Sequence, residues 1–193
     1  MKTTKFQYAL LILILSITGK LPGQNDYTWK FYTREVNITF LSKSPLEKIE
    51  ANTNSGNSVV DMISGQVEVA VLIKSFNFEK ALMQEHFNEN YMESNKFPKA
   101  IFKGNILNYK DIHLHTEGNY TAKLKGNLTI HGVTKSLEIQ AEFRVRDGKV
   151  FAESEFDLTV ADYDISIPSV VRDNIAKIVK VKLKAEFQEF KKT

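Results

Sequence analysis

The alternation of apolar and polar residues constrains this chain more than any other feature. From 121 to 131, Ala122, Leu124, Gly126, Leu128 and Ile130 alternate with Thr121, Lys123, Lys125, Asn127, Thr129 and His131. From 136 to 146, Leu137, Ile139, Ala141, Phe143 and Val145 alternate with Glu138, Gln140, Glu142, Arg144 and Arg146. Stretches 66–74, 149–161 and 179–188 repeat the pattern through Val67, Val69, Val71 and Ile73, through Val150, Ala152, Phe156, Leu158 and Val160, and through Val179, Val181, Leu183, Ala185 and Phe187. A period of two marks strands with one dry and one wet face. Strands of a parallel α/β sheet are apolar on both faces, so the pattern predicts an antiparallel sheet. Weaker runs at 28–33, 35–42, 47–54, 57–63 and 99–107 extend the set. Turn chemistry separates them at Asn54-Ser55-Gly56-Asn57, Ser64-Gly65, His131-Gly132 and Asp147-Gly148. Between residues 77 and 90, Phe78, Leu82, Met83 and Phe87 recur at helical spacing and predict one short inserted helix. About eight consecutive strands with short joints and one dry face predict an all-β, extended antiparallel barrel, because closure removes exposed edges.

The first residues do not share this pattern. Lys2 and Lys5 precede a nearly all-apolar run from Phe6 to Ile17, and Ser16, Thr18, Gly19 and Gly23 supply its small, polar end. That order predicts a secretory signal over residues 1–23, with cleavage between Gly19 and Gln24, and one barrel domain over 24–193. The run is too short for the roughly 20 residues a spanning helix needs. The expectation is a mature protein that is periplasmic or secreted. The whole chain holds 26 basic and 23 acidic residues, but residues 1–23 carry Lys2, Lys5 and Lys20 and no acid. Removing them leaves a net charge of zero, and nucleic-acid binding loses its compositional support. The chain has no cysteine, which excludes disulfides, Cys zinc sites and thiol nucleophiles.

The dry face carries the functional reading. Small inward residues (Ala100, Gly104, Ala122, Gly126, Ala141, Ala152, Ala185) sit beside Phe102, Leu124, Phe143, Phe156 and Phe187. An eight-stranded barrel is just wide enough to be filled or to hold one small ligand. The candidate lumen lining is therefore Phe102, Gly104, Ala122, Leu124, Gly126, Phe143, Phe156 and Phe187. Spacing alone leaves open whether the aromatic rings fill the room beside the small residues.

Three blocks then resemble the YceI-like family of polyisoprenoid-binding proteins. They are Gly126-Asn127-Leu128-Thr129-Ile130-His131-Gly132-Val133-Thr134-Lys135, the segment from Leu82 to Ser94 leading into Lys96-Phe97-Pro98-Lys99-Ala100 and Phe102, and Asp162-Tyr163-Asp164-Ile165. The resemblance implies a lipocalin-like barrel exported to the periplasm or beyond. It implies an amphiphilic isoprenoid in the lumen, a polyprenyl chain or a quinone tail, as bound ligand rather than cofactor. It also implies transient membrane contact and makes His86 and Tyr91 candidates for headgroup contact. Where the family pattern has an Arg-Asp pair ahead of its His, this chain has Gln84-Glu85 before His86.

Other polar groups invite chemistry. His113 and His115 would share one face of a strand and could bind Zn or Ni, against a solvated loop as the plainer reading. Glu85 and His86 pair a carboxylate with a base but have no nucleophile at a recognisable spacing. Asp162 and Asp164 suit a turn better than glycoside hydrolysis. Lys180, Lys182 and Lys184 form an outward basic row that a wet strand face or anionic headgroups would explain. No metal and no catalytic residue is assigned, and a non-enzymatic carrier is expected. Its rivals are a ligand-free envelope barrel and an enzyme acting on an exported lipid.

Overall fold

The computed structural model describes residues 28–168 and 175–190, so the predicted export signal lies outside the described residues. The long strands are β1 (Lys30–Lys43), β2 (Lys48–Asp61), β3 (Gln66–Leu72), β5 (Lys99–Ile106), β6 (Gly118–Ile130), β7 (Val133–Arg146), β8 (Lys149–Thr159) and β9 (Ile178–Glu189); β4 is the two-residue Asn77–Phe78. The sheet order is β1-β9-β8-β7-β6-β5-β3-β2, with β1 also paired to β2, so eight antiparallel strands close into the expected barrel. The small β4 is added to the free half of β2 through Ala51↔Phe78 and Asn52↔Asn77.

Two hairpins follow directly from their turn residues. His131-Gly132 have φ of 51° and 77°, and Asp147-Gly148 have 52° and 70°, which is the type I′ geometry that matches strand twist. Asn54-Ser55-Gly56-Asn57 behaves otherwise and corrects the turn expected there. β2 runs straight through it, so the four weak runs of the N-terminal half are two 14-residue strands. The β1–β2 register slips here, between Thr33 and Ile38. A Cβ on Gly56 would lie 2.8 Å from the Val36 Cβ. Glycine thus serves close approach where two strands of about 46 Å bend around the barrel.

The helix is shorter than predicted. α1 (Ala81–His86) passes into a π-helical turn over Phe87–Tyr91. The Asn88 side-chain amide donates to the Gln84 carbonyl (2.9 Å), and the Met92 N–H donates to the Phe87 carbonyl (2.9 Å), which widens the turn.

The core is uneven along the barrel. On β7 the inward series runs from half-buried Leu137 and Ile139 to buried Ala141, Phe143 and Val145. On β8 it runs the other way, from buried Val150 to half-buried Ala152, Ser154, Phe156 and Leu158. One end is therefore packed solid. Phe31, Met62, Ile106, Ala122, Val145 and Val150 fill it, and Ile112 and Leu114 of the β5–β6 connection close over them.

Candidate functional site

Above that packed end lies a cavity of about 410 Å³ whose wall is almost wholly apolar. Phe102, Leu124, Phe143 and Phe187 border it as a floor, with Phe143 and Phe187 centroids 6.2 Å apart. Ala100, Ala141, Ala152 and Ala185 line it higher up. Ala152 pairs with Ala185 across β8–β9 and with Phe143 across β7–β8, so small side chains meet where the lumen widens. Phe156 borders the wall on β8.

Three of the predicted lining positions lie elsewhere. Ala122 is fully buried below the floor, opposite Ala141 in register, and does not border the cavity. Gly104 and Gly126 face each other across β5–β6 and do not border it either. A Cβ on Gly126 would collide with the Lys103 carbonyl, and would lie 2.6 Å from the Gly104 Cα and 2.8 Å from the tip of the Phe102 ring. The glycine pair admits a close backbone approach, and the Phe102 ring takes the space that their missing side chains leave.

The far end is roofed by aromatic rings that the periodicity did not single out for the lumen. Phe40 stacks on Phe87 at 5.4 Å; Phe78 lies 4.9 Å from Phe87 and Phe76 lies 5.5 Å from Phe40. All four border the cavity. Only Phe78 and Phe87 stood out in sequence, as helix-face residues. The available signal was the density of Phe between 76 and 87, just where the period of two breaks. His86 and Tyr91 both reach the cavity from α1 and its π turn, beside Met83 and Met92. Burial pushes the Tyr91 phenol above its ordinary value, and burial followed by nearby Asp162 does the same to Tyr163. Both therefore stay neutral hydroxyls at physiological pH. Glu47 and Ser42 are among the polar residues of the lining, and no Lys or Arg borders the cavity among the described residues.

The remaining candidates are dispersed. His115 lies 3.1 Å from the Glu189 carboxylate and edge-on to Trp29 at 4.7 Å, whereas His113 sits 6.2 Å from Tyr120. They occupy a connection rather than a strand, and their different partners replace the shared face that a metal pair requires. Among the described residues no group of three His, Asp or Glu side chains is placed to hold a metal ion. Tyr163 is buried in the core cluster, and Asp164 takes the left-handed φ of 53° that ends the Val160–Tyr163 turn. The basic row is paired across strands: Lys180 with Glu155 at 2.6 Å, Lys182 with Glu155 at 2.9 Å and Lys184 with Glu153 at 3.5 Å. Its charge is answered on the barrel's own surface.

Comparison with known proteins places this architecture. The barrel is similar to a polyisoprenoid-binding domain from Saccharophagus degradans implicated in plant cell wall breakdown, with a TM-score of 0.74 at 11% identity over 85% of this chain and 100% of that one. It is similar to BcnA of Burkholderia cenocepacia, with a TM-score of 0.66 at 12% identity over 79% and 96% of the two chains. For the YCEI protein of Campylobacter jejuni the TM-score is 0.50 at 16% identity over 97% and 100%. No curated protein sequence matches. The model of the YceI-like domain matches residues 29–187, which spans every strand from the body of β1 to the end of the lumen-facing part of β9, and the chain belongs to the YceI-like domain family.

Proposed function

We propose that the chain is an exported, non-enzymatic binding protein that takes the tail of an isoprenoid, a polyprenyl chain or an isoprenoid quinone, into the barrel lumen. The observation that carries this reading is the continuous apolar cavity of about 410 Å³ above a solid core. Ligand pockets typically measure about 300–1,000 Å³. At about 24 cal/mol per Å³ of apolar void, filling the lumen recovers on the order of 10 kcal/mol. Association costs at least about 4 kcal/mol, which leaves up to about 6 kcal/mol, enough for binding in the tens of micromolar without a charged anchor. The polyisoprenoid-binding domain of similar fold from Saccharophagus degradans supports the ligand class.

The absence of Lys and Arg from the described lining favours a ligand whose buried part is uncharged, because an unpaired buried anion is costly. His86 and Tyr91 are the groups we assign to the headgroup. Leu46 and Leu82 are 71% and 61% exposed on segments joined by the Lys80–Glu47 ion pair (3.5 Å), and they suit brief contact with a bilayer. The test is organic extraction of the protein purified from its native cell envelope, followed by mass spectrometry. A prenyl lipid at near one per chain is the expected result. A lumen that yields no lipid, and that takes up neither polyprenol nor quinone when offered, overturns the reading.

A further inference from the structure

The barrel wall is not zipped along its whole length. The β7–β8 ladder runs from Arg146↔Lys149 to Ala141↔Ser154 and stops. Both strands continue: β7 stays paired with β6 back to Val133, and β8 stays paired with β9 on to Ile178↔Thr159. At the fork the Ser154 hydroxyl donates to the Gln140 carbonyl (2.6 Å), taking the place of the next ladder bond. Beyond it, inward Leu137 and Ile139 on one strand and Phe156 and Leu158 on the other are half-buried and border the cavity.

The gap is covered rather than paired. After Thr159 the chain turns over Val160–Tyr163, lies against β7, and presents Tyr163 and Ile165 to the cavity. The His131 Nδ1–H donates to the Tyr163 carbonyl (3.2 Å), and the His131 Nε2 lies 2.8 Å from a Glu93 carboxylate oxygen. His131 thereby ties three pieces of the open end: the β6–β7 hairpin, the chain after the π turn, and the covering segment. Its ring is further held edge-on to Phe97 at 4.6 Å.

We propose that the β7–β8 fork is a lateral portal through which the apolar tail enters the lumen, that segment 160–165 is its flap, and that His131 is the latch. This rests on the lipid-binding reading and adds the route. Among the described residues, one end is solid core, and the Phe40, Phe76, Phe78 and Phe87 cluster roofs the other. A portal in the wall lets a long tail slide in sideways, with side-chain contacts and the Ser154–Gln140 and His131–Tyr163 side chain–backbone bonds to undo rather than a ladder of backbone bonds. Covalent closure of the fork must therefore slow exchange, and loosening the latch must speed it, while the cavity and its equilibrium affinity stay as they are.

The native chain has no cysteine, so introduced thiols react alone. The probe is dansyl-labelled geranylgeraniol, and uptake and release are followed by stopped-flow fluorescence. Gln140→Cys with Glu155→Cys, the rung just past the last pair, is closed with a short bis-thiol cross-linker; Glu142→Cys with Glu153→Cys, inside the ladder, is the control. Loss of one hydrogen bond corresponds to about tenfold in rate. Cross-linking at the fork is expected to slow uptake and release at least that much, and cross-linking inside the ladder to change neither. His131→Asp keeps the turn chemistry of Asp-Gly but turns an acceptor toward the Tyr163 carbonyl and is expected to speed both rates about tenfold. His131→Asn restores a donor and is expected to bring the rates back. Wild-type rates in the cross-linked fork and in His131→Asp overturn the portal alone. A wild-type chain that takes up no probe overturns the lipid reading and the portal with it.

Discussion

Placing a phenyl ring at Ala152 separates a lumen from a core with one substitution. Ala152 lies on β8, borders the cavity, and meets only Ala185 and Phe143 as cross-strand neighbours. Ala152→Phe adds about six carbons to the empty volume, and at about 0.8 kcal/mol per buried carbon a bound tail that loses as many contacts loses up to about 5 kcal/mol, roughly a thousandfold or more in affinity. The free protein moves the other way. Burying the ring contributes about 1.5–3 kcal/mol. For a chain of this size that is about 5 °C in Tm. Ala122→Phe is the counterpart. Ala122 is fully buried below the floor, so the same ring must overpack a solid region, at a cost of about 1–3 kcal/mol or more. Thermal unfolding without ligand and fluorescence titration with a prenyl probe measure both quantities on both variants. An Ala152→Phe protein that is less stable than wild type, or that binds the probe as tightly, shows that Ala152 does not face an open lumen and refutes the argument.

Gly126→Ala is expected to destabilise by about 1–3 kcal/mol in urea unfolding, because its methyl meets the Gly104 Cα and the Phe102 ring and cannot be relieved by a side-chain rotation alone. Gly132→Ala should also destabilise, since φ is 77° and the new Cβ would sit 2.5 Å from the Phe97 ring; Gly148→Ala, at φ 70° with open space around it, isolates the backbone part of that effect. The ammonium groups of Lys180 and Lys182 hold the Glu155 carboxyl well below its ordinary value of 4.5, at about 2. A carboxyl depressed in the folded state stabilises the fold above its unfolded value and loses that contribution as pH falls. The stability difference between wild type and Glu155→Gln should therefore be constant above about pH 5 and vanish between 4.5 and about 2. Because Glu155 is exposed, added salt should shrink that difference, and a salt-independent difference would assign it to something other than the lysines.

The resemblance and the alternation pointed to the same barrel for different reasons. The alternation identified each strand's dry face, and the Asp-Gly and His-Gly pairs identified the two tight hairpins, because both signals depend only on residues adjacent in the chain. Of the inward residues, Phe102, Leu124, Phe143, Phe156 and Phe187 border the cavity. Facing inward is a different property from bordering a void, however. Ala122 faces inward into solid packing, and the void at Gly104 and Gly126 is taken by Phe102. Sequence shows the size of each side chain but not which side chains stand opposite one another at the same height.

What the sequence by itself determined is the class of object: antiparallel strands, one greasy face and turns of defined hand. The tertiary structure alone decided where the barrel is solid and where it is hollow. That depends on register between strands distant in the chain, such as Ala152 against Ala185 or Gly104 against Gly126. It also decided that β7 and β8 part after Ala141↔Ser154 and that His131 reaches across to Tyr163 and Glu93. A hairpin pattern predicts that its strands pair. It carries no information on how far, because the length of a ladder is set by the curvature and closure of the whole barrel.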